Sequence, residues 1–241
     1  MAKREPLMDA AYFEQTIAHI EKTALRFEAI VDKPDTKPEQ RKKLLYSLFR
    51  DSYELLIARY SAGEPFADLR PAFANIVQRR ERHQQELGRL GVDFAAGDDY
   101  VTSLWLVSLG ILLQVDLPLF ERLLACIGNQ GKDQLFERLV ATRVSGRPAV
   151  ASLVFPKTYQ VLYDAILAAD PEKPKLMATF LKSWYPAMGK LKIYWHDSHK
   201  GPEGGGFFGY WCIEAAGVVK AFSINDETFR DLPHYPKDMV S

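Results

Sequence analysis

The stretch from Gly206 to Phe222, GFFGYWCIEAAGVVKAF, carries only two charges, Glu214 and Lys220. A segment that apolar cannot face water along its length, so any fold for this chain must wrap other elements around it. Trp195, Phe207, Phe208, Tyr210 and Trp211 lie close by in sequence, an aromatic payload that belongs in a core. Glu214 is the anomaly within it. An ionised carboxylate buried without partners would be prohibitive, so Glu214 must be partnered, neutral or facing a cleft. The sequence favours a structural anchor for Tyr, Trp or backbone donors over a catalytic acid, because no second carboxylate stands at a defined spacing.

The remaining helices are legible from periodicity. Phe13, Ile17, Ile20, Ala24, Phe27 and Val31 repeat at alternating four and three and form one apolar helix face. DKPDTKP breaks that helix, and a second is expected over about 38–60, burying Leu45, Leu48, Phe49, Leu55 and Leu56. Pro65 opens a third with Phe66, Leu69, Phe73, Ile76 and Val77 inward. Its continuation, QRRERHQQELGRL, reads as a solvated face laced by i, i+4 ion pairs, because Glu81 and Glu86 interleave with the arginines. Further helices are expected over VTSLWLVSLGILLQ, 117–127, 132–142, 157–169 and 171–184, separated by Gly128-Asn129, Ser145-Gly146 and Asp170-Pro171. No run alternates with period two, so the fold class is all-α: about nine to ten helices, as a solenoid-like stack or bundle. A change of character near 128–132 divides it into halves, 1–128 and 129–241, sharing one core.

Composition narrows the function classes. Thirty-one basic residues balance thirty-one acidic ones, so net charge favours neither nucleic acid nor membrane, and electrostatic partners must be read from local clusters. Cys126 and Cys212 each sit in apolar sequence and read as buried free thiols in a reducing compartment. Neither a signal peptide nor a bilayer-spanning run is legible, which places the protein in the cytoplasm. One local cluster stands out: from Gly91 to Asp116 there is no Lys or Arg, while Asp93, Asp98, Asp99 and Asp116 all occur. Asp98-Asp99 and Asp116 stand at expected helix starts. There they serve as caps and complement the helix dipole, and they also offer an acidic surface to a basic partner.

Catalytic motifs are harder to find. His196 and His199 form H-x-x-H, and with Glu214 they make a conceivable zinc set for a hydrolase, but the H-E-x-x-H pattern is lacking. Local hydrogen bonding by loop histidines is the simpler reading. The glycines of GPEGGG have neither the Gly-Lys-Ser/Thr nor the βαβ setting of a phosphate loop, so they read as a connector. No G-x-S-x-G elbow occurs. A helical scaffold of some unrelated complex is a further non-catalytic alternative.

The C-terminal residues carry a resemblance. Gly209, Tyr210, Trp211, Glu214, Ala215 and Ala216, then Asp226, then Tyr235, Pro236, Asp238 and Val240, follow the pattern Gly-Tyr-Trp, two residues, Glu-Ala-Ala, an apolar helix, an Asp-containing turn and a closing Tyr-Pro-x-Asp-Leu-Val. This is similar to the C-terminal signature of the PoNi-type immunity proteins, with Met239 replacing the usual Leu. The resemblance implies a bacterial cytoplasmic protein that binds and inhibits a cognate PoNe-type DNase toxin, with no catalysis, cofactor or metal. The signature reads as core, so the partner surface is expected elsewhere, at Asp93, Asp98, Asp99 and Asp116.

Overall fold

The computed structural model describes residues 3–202 and 206–240, so part of the GPEGGG connector, residues 203–205, lies outside the described residues. Nine α-helices, three short 3-10 turns and no strand occur among the described residues, which is the expected all-α architecture. Contacts group the chain into two compact units, Met1–Gly91 with Asp197–Gly209, and Val92–His196 with Tyr210–Ser241. The change of sequence character near 128–132 falls within the second.

In the first unit, α1 (Ala10–Val31) and α3 (Arg70–Leu87) each pack against α2 (Pro38–Ala62). Asp9 caps α1 by accepting the Tyr12 amide at 2.7 Å, and Gly63 ends α2 with φ +107°, a left-handed conformation that a residue without Cβ adopts freely. Phe13, Ile20, Ala24 and Val31 are buried as their spacing requires, Ala24 and Val31 against Leu45 and Leu48; Ile17, Phe27 and Leu55 are half-buried. Returning chain closes the unit. The Tyr12 hydroxyl donates to the Phe207 carbonyl at 2.9 Å, and Ser61 Oγ donates to the Phe208 carbonyl at 2.8 Å.

The third helix corrects the sequence reading in two ways. Residues 66–69 form a 3-10 turn before α3 begins at Arg70. The polar end of α3 is not a wholly solvated face either, because Arg80, His83 and Gln84 are buried. Arg79 and Arg82 reach across to Glu28 and Asp32 of α1 at 2.5 and 2.9 Å. The Arg80 guanidinium lies over the Phe49 ring at 4.9 Å with Nη1 3.1 Å from His83 Nδ1, a contact that requires a neutral imidazole accepting there. Burial, with Arg80 adding to it, lowers the His83 pKa to about 4. Periodicity could not reveal this, because a long side chain with an apolar stem can be buried wherever a partner meets its head.

The second unit holds α4 (Gly97–Leu112), α5 (Leu117–Ile127), α6 (Gln134–Val140), α7 (Pro156–Leu167), α8 (Lys173–Lys190) and α9 (Ile213–Ala221). The apolar stretch that constrains the sequence is only partly helical: residues 206–212 run without helix, and α9 starts at Ile213. Helix α4 is buried along almost its whole length and packs on α9; α7 packs on α8. The α4–α9 approach is set by Gly217. A Cβ there would sit 2.3 Å from Ser108 Oγ, 2.4 Å from its Cβ and 3.0 Å from its Cα. The two helices therefore approach closely at this position.

Gly217→Ala should destabilise the fold by about 1–3 kcal/mol through overpacking, outweighing the gain of up to ~1 kcal/mol in helix propensity. The urea midpoint reads the loss. Adding Ser108→Gly removes two of the three clashing atoms and should recover part of it. An unchanged midpoint in the single variant would contradict the close packing.

Candidate partner-binding surface

Glu214 sits in the first turn of α9 and is fully buried. Trp184 Nε1 donates to its Oε1 at 2.7 Å, Trp105 Nε1 donates to its Oε2 at 2.8 Å, and the Tyr159 hydroxyl lies 3.3 Å from Oε1. The donors come from α8, α4 and α7 in turn. Burial pushes the Glu214 pKa up, and the indole and phenol donors oppose it. Around this carboxylate the Trp105 and Trp184 rings stack on Trp195 at 5.2 and 5.6 Å. The expected anchor held by Trp and Tyr donors is what the geometry contains, although nothing in the spacing marked Trp105, Tyr159 and Trp184 as its partners.

Gly209 has φ +112°, a region that favours glycine, and the buried Tyr210 ring lies 5.7 Å from Trp195. Trp211 and Ala215 are buried. The Cys212 amide donates to the His234 carbonyl at 2.8 Å, and the Tyr235 hydroxyl donates to Asp226 at 3.1 Å. Pro236 is buried and precedes the last 3-10 turn, whose Asp238 is exposed. Both cysteines are free and buried.

The four aspartates divide by role. Asp116 is exposed and caps α5, accepting the Leu119 amide at 2.8 Å. Asp93 is exposed, and its Oδ1 accepts the Ala95 amide at 2.9 Å. Asp98 and Asp99 are not the caps of α4; Ala96 holds that position without a side-chain bond, and both aspartates occupy the first turn, half-buried. Asp99 Oδ2 accepts the Asp93 amide at 3.0 Å, which ties these two residues together. Asp98 Oδ1 accepts the Tyr194 amide at 2.9 Å, a bond across 96 residues of sequence. Burial raises the Asp98 pKa; the Tyr194 amide opposes the shift and the charge of Asp99 adds to it. The structure thus joins Asp93, Asp98 and Asp99 at one edge of the second unit, with Tyr194 beside them presenting a 42% exposed side chain.

His196 stacks on Tyr185 at 4.4 Å, while His199 belongs to the first unit and lies edge-on to Phe207 at 6.2 Å. Asp197 between them has φ +66° and Ser198–Lys200 is a 3-10 turn, so the pair does not share an α-helical face. Among the described residues, no group of three or more His, Cys, Asp or Glu is placed to hold a metal ion. No helix among them is long and apolar enough to cross a membrane.

Two buried carboxylates of the second unit escaped the sequence reading. Asp133 caps α6 through the Phe136 amide at 2.7 Å and also accepts the Val154 amide at 2.8 Å. Its place just before a helix was a usable signal. Glu137 forms a two-pronged pair with Arg147 at 2.6 and 2.8 Å and accepts the Gly131 amide at 2.7 Å. A partner ten residues away across an irregular segment leaves no mark in periodicity.

The class of fold is shared with a solved all-helical structure. The crystal structure of protein PA2201 from Pseudomonas aeruginosa superposes with a TM-score of 0.77 over 99% of this chain and 90% of that one, at 19% identity. No curated protein matches the chain. Two family models, described as the N-terminal and C-terminal parts of PoNe immunity proteins (PoNi), match residues 4–125 and 131–239. The chain therefore belongs to the PoNi family of immunity proteins against PoNe nuclease toxins.

Glu214→Gln replaces one acceptor facing an indole or phenol donor by an amide N–H. At neutral pH this should cost about 1–3 kcal/mol, read by urea unfolding. The pH dependence separates the charge from the hydrogen bonds. Because the folded-state pKa lies above the model-compound 4.5, the wild type holds its full Glu214 contribution below pH 4.5 and loses part of it as pH rises through the folded value. The gap between wild type and variant should accordingly narrow as pH rises from 4 to 8. A gap that widens would mean the carboxylate is favoured in its ionised form.

Proposed function

We propose that this chain binds a cognate secreted PoNe-type DNase toxin directly and neutralises it in the cytoplasm of the cell that makes both. The observation that carries this reading is the match of the two immunity-protein models, which together span almost all of the chain. The mechanism is inhibition by contact, without catalysis or cofactor.

The contact surface proposed is the edge formed by Asp93, Asp98 and Asp99, extended by Asp116. A DNase holds its substrate through cationic groups, because phosphate contacts dominate nucleic-acid affinity. Since this chain has no net charge, complementarity to such a groove must come from a local patch. Three of these carboxylates share an edge, and backbone amides fix their positions, so little side-chain entropy would be lost on docking. Tyr194 supplies an exposed aromatic at the same edge, the residue type most enriched in interface hot spots.

The test is stoichiometric protection of plasmid DNA from the nuclease domain encoded beside this gene, with association kinetics measured at several salt concentrations. Asp98→Asn/Asp99→Asn keeps the carbonyl acceptors of the Tyr194 and Asp93 amides while removing both charges. It should slow association several-fold at low salt and flatten the salt dependence, with the melting temperature followed alongside. An unchanged association rate would move the interface off this edge. Absence of any complex with the wild-type chain would leave the scaffold reading in its place.

A further inference from the structure

A second surface of the same unit has no part in that reading. Between α6, α7 and the segment that joins them lies a cleft of about 340 Å³, lined by Gln134, Arg138, Arg147, Val150 and Tyr163 among others. One wall is chain from Arg147 to Val150, which continues to Leu153 without turn or bend. The wall is fixed at both ends. Arg147 is held by the fork of Glu137, the Ser152 carbonyl accepts the Gln134 amide at 2.9 Å, and Asp133 takes the Val154 amide. Between those points the N–H and C=O groups of Ala149, Val150 and Ala151 make no hydrogen bond among the described residues, and Ala149 and Ala151 are exposed. Exposed, unpaired backbone of this kind can take up one more strand from a partner.

The charge beside this wall selects the occupant. The Glu137–Arg147 pair is internally neutral, with side chains only 4% and 10% exposed. Arg138 is exposed and pairs with no carboxylate among the described residues; its guanidinium lies over the Phe222 ring at 5.6 Å. Stacking on a ring face orients a guanidinium plane and leaves its N–H edge for a planar oxyanion. The same chain shows the preferred partner twice, since Arg59 and Arg147 both grip a carboxylate through Nε and Nη2.

We propose that this cleft is a docking groove for an extended acidic segment of a partner protein, which pairs its backbone with Ala149–Ala151 and sets a carboxylate on Arg138. The groove is separate from the Asp93–Asp99 edge and carries the opposite charge, so its test needs no toxin. The probe is the blocked hexapeptide acetyl-Val-Asp-Val-Asp-Val-Asp-amide, titrated into the isotopically labelled full chain and followed by amide chemical shifts. Saturable shifts should be confined to residues 147–153, Arg138 and their contacts.

Arg138→Gln should weaken binding by roughly fivefold, as expected for one exposed ion pair, and the Lys counterpart of the peptide should bind more weakly still. A peptide N-methylated at alternate residues should lose binding, because it keeps the carboxylates and removes the backbone donors. Inorganic phosphate at the same concentration should leave the Ala149–Ala151 amides unmoved. No saturable shift with the aspartate peptide, equal binding of the lysine or methylated peptide, or reproduction of the shifts by phosphate alone would each overturn the proposal.

Discussion

A carboxylate with no solvent exposure is held in the second unit by donors from three separate helices, and much of that unit's geometry depends on it. Removing Glu214 from water carries a desolvation penalty of several kcal/mol, offset only if each donor stands in its place. That requirement couples α4, α7 and α8 to α9. Trp105, Tyr159 and Trp184 must come to hydrogen-bonding distance together, and their large rings then fill the space around the site. The position of Glu214 in the first turn of α9 assists, since the helix N-terminus favours negative charge. Gly217, less than one turn further along, lets α9 approach α4 closely enough for the Trp105 indole to arrive.

Carboxylates do most of the local organising elsewhere as well. Asp9, Asp116 and Asp133 each satisfy an amide at a helix start that the helix itself leaves without a partner. Asp93 and Asp99 use the same chemistry on amides close in sequence, and Asp98 uses it on the distant Tyr194 amide. Carboxylates held by backbone amides in this way have little side-chain freedom left to lose. Basic residues take part as well, since the mostly buried Arg79 and Arg147 side chains pair with Glu28 and Glu137 of neighbouring segments.

Much of the fold was legible in the sequence because helices are local. The α1 face from Phe13 to Val31, the span of α5 between Asp116 and Gly128, and the all-α class itself follow from apolar spacing and caps. The reading failed where burial is decided by a partner. Arg80 and His83 read as solvated because charge predicts exposure, yet an aromatic ring and a mutual hydrogen bond bury both. Asp98 read as a cap because of its neighbours in sequence, while its bond goes to an amide 96 residues away.

The sequence by itself determined that this chain is helical and that the segment around Glu214 is core. Each of these depends on the spacing and type of residues close together along the chain. Only the tertiary structure decided which donors meet Glu214, which aspartates share an edge, and where exposed backbone lies beside the exposed Arg138. Those are meetings of residues tens of positions apart. They are fixed by how helices pack, and packing leaves no periodic trace in the residues that it brings together.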